Sequence, residues 1–266
     1  MPDLHQGQLS LHPRYVDPDK EFLTAEWRHL AMLNYEVEAS LLLPFVPAGT
    51  ELDCWNGRAF VSLVGFRFLK TRILGFTIPF HANLDEVNLR FYVRRKHGDE
   101  VRRGVVFIRE IVPRRAIAFV ARTLYNENYV ALPMAHEIHM IGDSGVSAAY
   151  RWKADGAWSG IEVAAQGEPE LPKDGSHEQF ITEHYWGYAA QTDGGCVEYR
   201  VAHPPWRVWR AHRVQFEGDV EGLYGKNLAA VVRGAPSSAL LAEGSEVAVM
   251  RGRRIYIERS APQGTV

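Results

Sequence analysis

Residues 86–94 read EVNLRFYVR, and apolar and polar side chains alternate along the whole stretch. Because successive side chains of a β-strand point to opposite faces of the sheet, the alternation predicts a strand with one apolar and one hydrogen-bonding face. The apolar face carries Val87, Leu89, Phe91 and Val93, and the polar face carries Glu86, Asn88, Arg90, Tyr92 and Arg94. Such a polar face usually meets water. Here it could also line a pocket, because Glu86 and Arg90 would lie about 13 Å apart, the scale of a small molecule.

A second polar segment follows at residues 121–134, which read ARTLYNENYVALPM. It concentrates arginine, tyrosine and amide side chains more densely than an ordinary solvent-exposed loop does. We interpret it as another wall of the same pocket, contributed by Arg122, Tyr125 and Tyr129. An arginine in a cavity is the natural bidentate partner of a carboxylate. The alternative, in which these side chains satisfy carbonyl groups at a helix end, stays open on the sequence alone.

The composition indicates a large core and no strong charge. The chain has 266 residues, of which 46% are hydrophobic, and a formal net charge of -2. A charge this small creates no field that would attract nucleic acid or an anionic membrane. The N-terminus lacks an apolar leader, and no apolar stretch approaches the roughly 18 residues of a membrane span. We therefore expect a cytoplasmic protein with an arm at 1–20 and a single domain at 21–266.

Short strands separated by turns dominate the sequence. We predict strands at 27–37, 52–55, 58–70, 86–94, 104–112, 134–141, 147–154, 161–166, 196–202 and 208–216, then a last strand or two that ends at 254–258, and short helices at 38–43, 116–124, 176–185 and after 218. Helix is the alternative for 27–37. The dipeptide Asn56-Gly57 predicts a hairpin turn between 52–55 and 58–70. Ser176, with Gln179 three residues later, predicts the capped start of the helix at 176–185. Many short strands favour an antiparallel sheet that closes or nearly closes into a barrel, because an open sheet of this length would leave exposed edges. The predicted fold class is mainly β (α+β), with a few short peripheral helices.

Several other candidate residues have a structural explanation that we favour. His136 and His139 are three residues apart in a predicted strand, whereas a metalloprotease motif places its histidines four apart on a helix. Glu183 and Tyr185 are typical of a structural corner, since a buried tyrosine tends to find a hydrogen-bond partner. His203 precedes Pro-Pro-Trp, which favours a rigid turn over a base. We expect neither a metal ion nor a cofactor.

Four segments in the same order, EVNLRFYV, ARTLYNENYVALPM, FITEHYWGY and HPPW, resemble an uncharacterised conserved bacterial family. That family is filed only as a domain of unknown function and is related to the acetoacetate decarboxylase superfamily. The resemblance implies a cone-like antiparallel β-barrel with helices at its ends and a central cavity. It also implies a homo-oligomer.

The resemblance does not extend to the nucleophile of the decarboxylase. Acetoacetate decarboxylase acts through a Schiff-base lysine whose pKa a neighbouring cation lowers. Here no lysine lies between Lys96 and Lys153, and the corresponding position falls near Asn128 or Tyr129, neither of which can form an imine. Glu86 resembles the pocket glutamate of the decarboxylase and is the candidate for a catalytic acid or base.

Together these observations predict a binding protein whose cavity holds a small anionic organic molecule. We predict the ligand-binding residues to be Glu86, Asn88, Arg90, Tyr92, Arg122, Tyr125 and Tyr129. One alternative is a lyase or decarboxylase-like enzyme that uses Glu86 as general acid or base on a small keto or carboxylic acid. The other is a buried structural network in a protein that acts through its surface.

Overall fold

The computed structural model describes residues 20–77, 82–113, 128–142 and 145–255. Within these ranges the protein is mainly β, as the sequence predicts. The helix predicted at 116–124 lies outside the described residues, and so do Arg122 and Tyr125. Nearly all of the N-terminal arm lies outside them too.

The described residues form fifteen strands. Their bounds are Glu21–Val37 (β1), Glu51–Leu52 (β2), Ala59–Ile73 (β3), Phe76–Thr77 (β4), Leu84–His97 (β5), Glu100–Val112 (β6), Tyr129–Ala131 (β7), Met134–Ile141 (β8), Gly145–Ala154 (β9), Ala157–Ala165 (β10), Trp186–Ala190 (β11), Cys196–Ala202 (β12), Val208–Glu217 (β13), Ser238–Met250 (β14) and Arg253–Ile255 (β15). Stretch 27–37, for which helix was the alternative, is therefore strand. The short strands β4, β7 and β11 are absent from the sequence prediction.

Three α-helices are described, and all are short. They are Ala39–Leu42 (α1), which runs into a 3-10 turn at Leu43–Phe45, His177–Thr182 (α2) and Glu221–Arg233 (α3), which a non-helical Gly225 interrupts. The predicted cap of α2 is confirmed, because the Ser176 side chain accepts a hydrogen bond from the backbone N–H of Gln179 at 3.2 Å. No helix within the described ranges is both long enough and apolar enough to cross a membrane.

The fifteen strands belong to one hydrogen-bonded sheet. Its main path runs β15-β12-β11-β6-β5-β3-β1-β14-β13-β10-β9-β8, with β2 paired to β5, β4 to β3 and β7 to β6. A further pairing of β12 with β14 joins seven strands, from β12 through β5 to β14, in a closed path. These seven strands are not evenly arranged, so the sheet is not a regular barrel. The structure confirms the mainly β class, and a central cavity stays a prediction.

Two pairings depart from the predicted antiparallel pattern. Strand β6 pairs in parallel with β7 and with β11, where Trp186 lies opposite Gly104. Each of these partners follows β6 only after a long connecting segment, which parallel pairing requires. The prediction of a purely antiparallel sheet is therefore wrong at these two places.

The predicted hairpin around Asn56 and Gly57 is confirmed in its turn only. Both residues have positive φ, and an isolated bridge joins Trp55 to Arg58 across them. The first arm of the hairpin does not pair with β3, because β1 and β5 already occupy the two edges of that strand. Strand β2 pairs with β5 instead.

Two buried clusters cover the opposite faces of the central strands. The first core contains the apolar face of β5, including Val87, Leu89, Phe91 and Val93. The second core contains, among others, Met32, Phe60, Val64, Phe66, Phe68, Tyr92, Phe180, Ile181 and Trp206. The polar face of β5 therefore shares its side of the sheet with the second core.

Candidate functional site

The polar face of β5 is buried along most of its length. The buried members are Glu86 (3% exposed), Asn88 (1%), Arg90 (8%) and Tyr92 (1%), which we call the polar row. The face reaches solvent at Arg94, whose guanidinium pairs with exposed Glu51 at 2.8 Å. The interpretation as a water-facing sheet surface is therefore wrong for residues 86–92, and their polar groups must find partners inside the protein.

Neighbouring elements place the polar row among aromatic and apolar side chains. In the pairing with β3, Phe66 lies opposite Glu86 and Ser62 lies opposite Arg90. Helix α2 contributes Phe180 to the same cluster. Water is scarce in such surroundings, so a charge or an unmatched hydrogen-bonding group has a stronger electrostatic effect there than at the surface.

At one end of the polar row, donors surround the carboxylate of Glu86. The amide of Asn88 donates to Oε1 at 2.9 Å, and the hydroxyl of Tyr129 donates to Oε2 at 3.4 Å. A second buried carboxylate, Glu110, lies opposite Asn88 on β6. The structure thus brings together three residues that the sequence predicted, with Glu86 as a hydrogen-bond acceptor.

At the other end, Tyr92 belongs to a chain of hydrogen bonds. The Ser62 hydroxyl donates to Oδ1 of Asn34 at 2.6 Å, and Ser62 Oγ lies 2.6 Å from the Tyr92 hydroxyl. Because serine has one proton to give, the tyrosine hydroxyl donates to the serine. The proton of Tyr92 is therefore already used within the protein.

Beside Tyr92 lies a buried pair of Asp53 and His184. The carboxylate oxygen Oδ2 of Asp53 is 3.1 Å from Nε2 of His184 and 2.6 Å from Nε of Arg103. The imidazole centre is 4.6 Å from the centre of the Tyr92 ring and 5.1 Å from that of Phe180. Two aromatic rings and a carboxylate therefore fix the position of the imidazole.

The electrostatics of this pair keep the imidazole neutral and the carboxylate charged. Burial lowers the pKa of His184 to about 4, and the charges of Arg103 and Arg90 act in the same direction. Burial alone would raise the pKa of Asp53, but its hydrogen bonds to His184 and Arg103 hold that pKa below its ordinary value. The bond between the two residues is therefore Nε2–H donating to a carboxylate.

Arg90 is the member of the polar row with the weakest set of contacts. Its Nη2 donates to the carbonyl oxygen of Ile181 at 3.5 Å, the outer limit of a hydrogen bond, and its Cζ lies 5.9 Å from the Tyr92 ring centre. Its buried Nε has no hydrogen-bond partner among the described residues, and no carboxylate there forms an ion pair with it. A buried guanidinium with five donors thus has donors to spare.

The residues that surround Arg90 and Tyr92 were not predicted from the sequence. His184 lies within the segment FITEHYWGY, in which the sequence predicted only its neighbours Glu183 and Tyr185 as candidates. Asp53 and Ser62 lie in ordinary strand-like sequence, without a motif. The available signal was the position of His184 directly after a capped helix, which ties its ring to that helix.

The remaining candidates of the HPPW and FITEHYWGY segments form a packed corner. The ring of His203 stacks on Trp206 with centres 4.1 Å apart, and Tyr185 lies 4.8 Å from the same histidine. The Nδ1 of His203 hydrogen-bonds the carbonyl of Pro204 at 2.8 Å, as expected for a turn. Burial lowers the pKa of His203 to about 4, opposed by that hydrogen bond and assisted by Arg90. A second neutral imidazole therefore lies near Arg90.

His136 and His139 occupy strand β8 and have separate partners. Nδ1 of His136 is 2.8 Å from Asp85, and Nε2 of His139 is 3.6 Å from Glu137. Among the residues that the structure describes, no three histidine, cysteine, aspartate or glutamate side chains are grouped so that they could hold a metal ion.

A surface cleft of about 360 Å³ lies apart from the polar row. Its lining includes Glu168, Leu171, Lys173, Glu178, Trp209 and Arg210. Within it, Glu178 and Arg210 pair at 2.9 Å, and none of its lining residues has a buried polar atom without a partner. We therefore place the candidate site at the polar row, where such atoms are found.

The match to known sequences defines the family. Residues 24–246 match the model of domain of unknown function 2071, described as an uncharacterized conserved protein, and the chain belongs to that family. A curated relative is the uncharacterized protein YqjF of Bacillus subtilis (strain 168), which is 27% identical over 187 residues. The alignment covers 70% of this chain and 74% of YqjF.

Solved structures of similar shape are acetoacetate decarboxylase-like. Acetoacetate decarboxylase of Legionella pneumophila has a TM-score of 0.61 at 12% identity, with 93% of each chain covered. An acetoacetate decarboxylase-like enzyme of Sphingomonas wittichii RW1 has a TM-score of 0.60 at 11% identity, covering 94% of this chain and 99% of that one. The enduracididine biosynthesis enzyme MppR, solved with pyruvate, has a TM-score of 0.62 at 12% identity, covering 92% of this chain and 95% of that one. At these identities the likeness establishes the fold alone.

Proposed function

We propose that this protein binds a small organic anion on the second-core side of the sheet, in a cavity that the seven paired strands enclose. Arg90 is the charge partner of the anion. The observation that carries the proposal is the buried guanidinium, which has no carboxylate partner among the described residues.

The cost of burying a charge explains why this observation points to a ligand. A buried ion is normally paired, because the loss of hydration is repaid only by a counter-charge and by hydrogen bonds to the remaining donors. The neighbouring imidazoles of His184 and His203 are neutral, so they do not repel an anion, and in neither protonation state could they balance the positive charge of the guanidinium. A carboxylate bound by the guanidinium fork would supply both the charge and the acceptors.

The positions of the lysines argue against a Schiff base, and so support binding or a reaction that forms no imine. A Schiff-base lysine is activated by burial or by a neighbouring cation. The chain has six lysines, and all lie within the described ranges. Five of them are exposed and Lys153 is half-buried, so none lies buried at the polar row.

The fold neighbours support the size of the proposed ligand. MppR was solved with pyruvate, a three-carbon acid, which indicates that a protein of this fold can hold such a molecule. In this chain we assign the charge to Arg90 and the orientation of the ligand to Asn88 and Tyr92. We do not assign a base role to Glu86, because both of its carboxylate oxygens already accept hydrogen bonds from Asn88 and Tyr129.

Thermal unfolding with a panel of small acids tests the proposal. Acetate, propionate, pyruvate, lactate, acetoacetate and 3-hydroxybutyrate are added one at a time, and at least one is expected to raise Tm by several degrees at saturation. Arg90→Met should abolish that rise. Arg94→Gln is the matched control, because Arg94 lies on the same strand but pairs with Glu51 in solvent; this variant should keep the full rise. A panel without any rise, or a rise that survives Arg90→Met, would contradict the proposal.

A further inference from the structure

One ring nitrogen of His184 is committed and the other has no partner. Nε2 lies 3.1 Å from the Asp53 carboxylate, whereas the buried Nδ1 has no hydrogen-bond partner among the described residues. The side chain of His184 is only 1% exposed, so bulk water does not satisfy that nitrogen either. A buried polar atom of this kind needs an explanation, such as a bound molecule.

The surroundings of the imidazole fix which nitrogen carries the proton. An ionised carboxylate only accepts hydrogen bonds, so the nitrogen that faces Asp53 must be the protonated one. Arg103 binds the same carboxylate oxygen, and the backbone N–H of Asp53 donates to the carbonyl of Tyr92 at 3.0 Å, which anchors the aspartate to β5. The free Nδ1 is therefore a lone-pair acceptor.

Arg90 and His184 both lie close to the ring of Tyr92. The Arg90 Cζ is 5.9 Å from the centre of the Tyr92 ring, and the His184 ring centre is 4.6 Å from it. The hydroxyl of Tyr92 is bonded to Ser62, so it does not compete for either group. A cationic fork of donors and one neutral acceptor thus both lie within 6 Å of the centre of the same tyrosine ring.

We infer that His184 selects the second functional group of the ligand, which is a hydrogen-bond donor. The ligand class is a short carboxylic acid that also carries a hydroxyl or N–H group, such as a hydroxy acid. The carboxylate binds Arg90, and the hydroxyl donates to Nδ1 of His184. This inference rests on the proposed function, because it needs an acid at Arg90.

Keto acids fit this pair of groups poorly. A ketone oxygen is an acceptor, so placing it against the lone pair of Nδ1 leaves two buried acceptors facing each other. An unmet buried hydrogen-bonding group typically costs enough to weaken binding by about tenfold or more. We therefore expect a preference for hydroxy over keto acids, although the fold neighbour MppR was solved with the keto acid pyruvate.

Isothermal titration calorimetry with matched acids tests the inference. The three-carbon set is lactate, pyruvate and propionate, and the four-carbon set is 3-hydroxybutyrate, acetoacetate and butyrate. In the set of suitable length, the hydroxy acid should bind about tenfold or more tightly than the keto and the unsubstituted acids. Equal affinities within both sets, or tighter binding of a keto acid, would overturn the inference while leaving the proposed function intact. Failure of every acid to bind would overturn both.

The variant His184→Gln separates recognition from folding. The amide N–H of a glutamine can still donate to Asp53 in place of Nε2, while its carbonyl oxygen lies on the other side of the side chain and does not occupy the position of Nδ1. We expect this variant to bind the hydroxy acid more weakly than the wild type does. The three acids within a set should then bind to the variant with equal affinity. A variant that keeps the hydroxy preference would show that His184 does not make the contact.

Nitrogen NMR of the wild-type protein provides a measurement that does not depend on the variant. The ¹⁵N shifts of His184 should show protonated Nε2 and bare Nδ1 without ligand. Addition of the preferred hydroxy acid should move the Nδ1 resonance in the direction of a hydrogen-bonded nitrogen. If Nδ1 gives the same resonance with and without acid, the acid makes no hydrogen bond to this nitrogen and the inference is wrong.

Discussion

Two of the buried charged residues that the structure describes, Glu198 and Arg90, have opposite surroundings. Glu198, which is fully buried, accepts hydrogen bonds from Arg95 at 3.1 Å, Arg102 at 2.7 Å and Arg253 at 2.6 Å. Arg90 is also buried, yet its one described hydrogen bond is a 3.5 Å contact to a carbonyl. The carboxylate of Glu198 joins parts of the fold, whereas the guanidinium of Arg90 has no carboxylate partner among the described residues and is the proposed site of an external anion.

The residues around Glu198 show what a structural charge cluster requires. The glutamate lies on β12, and its three arginines come from β5, β6 and β15. The guanidinium of Arg102 also lies 4.3 Å from the centre of the Trp186 ring on β11. One carboxylate therefore connects strands that are far apart in the sequence, and we call this group the Glu198 cluster.

Breaking the Glu198 cluster should have the largest effect on stability. In Glu198→Gln, three arginines lose the carboxylate that they share, although Arg102 keeps its ion pair with Glu100 at 2.8 Å. Removing one partner of a buried charge cluster typically costs about 3–5 kcal/mol. Urea denaturation should show a loss of this order in the free energy of unfolding. A loss below about 1 kcal/mol would show that water or other polar groups solvate the arginines in the native state. The contrast between the paired charge of Glu198 and the unpaired charge of Arg90 would then fail.

The neutral histidine beside Arg90 predicts a dependence of stability on pH. The pKa of His184 falls from an ordinary 6.5 to about 4 in the folded protein, so the unfolded chain takes up the proton first as the pH drops. The stabilising contribution is therefore complete above about pH 6.5 and is lost as the pH falls towards 4. His203 acts in the same direction.

Urea denaturation between pH 7 and pH 4 measures this effect. The slope for one such histidine is on the order of 1 kcal/mol per pH unit within the window. His184→Gln should have a shallower slope than the wild type by about that amount, and the two proteins should both show flat profiles above pH 7. Identical slopes at low pH would mean that the imidazole is charged in the folded protein, which would also remove the neutral acceptor.

Removal of the unmatched charge should change stability much less than removal of a matched one. Arg90→Met takes away a buried guanidinium and leaves no described carboxylate without its partner. Replacement of a buried ion by an apolar side chain of similar length is often neutral or stabilising. Without ligand, the free energy of unfolding should therefore stay within about 1 kcal/mol of the wild type or rise. A loss of several kcal/mol would assign Arg90 to the structural network and contradict the proposed function.

Local patterns explain why most strands could be predicted from the sequence. The alternation in residues 86–94 marks β5, and Ser176 with Gln179 marks the start of α2. The closure of β12 onto β14 and the parallel pairing of β6 with β11 depend on where a distant segment returns, which no local pattern states. Gly104 is a residue whose identity reflects the pairing of β6 with β11. A side chain at this position would meet the Trp186 carbonyl oxygen at 2.6 Å, so only glycine fits there.

The residues of the candidate site also divide into those that a local pattern predicts and those that only the tertiary structure brings together. Glu86, Asn88, Arg90 and Tyr92 share one face of a strand, and their grouping follows from a period of two. His184 and Asp53 are 131 residues apart and meet only because α2 packs over β5. The sequence could therefore suggest Arg90, the donor proposed to bind an acid, whereas His184, the acceptor proposed to select among acids, requires the tertiary structure.

Among the predicted effects on the free energy of unfolding, the smallest belongs to the exposed pair of Arg94 and Glu51. Arg94 continues the polar row beyond Tyr92, but both of its pairing groups are solvated, with side-chain exposures of 49% and 68%. Exposed ion pairs gain little because water screens them and because two long side chains lose freedom. Glu51→Gln should therefore change the free energy of unfolding by less than about 1 kcal/mol, and by less at high salt. If its effect equalled that of Glu198→Gln, burial would not be what distinguishes the matched charges of this protein, and the meaning assigned to Arg90 would lose its basis.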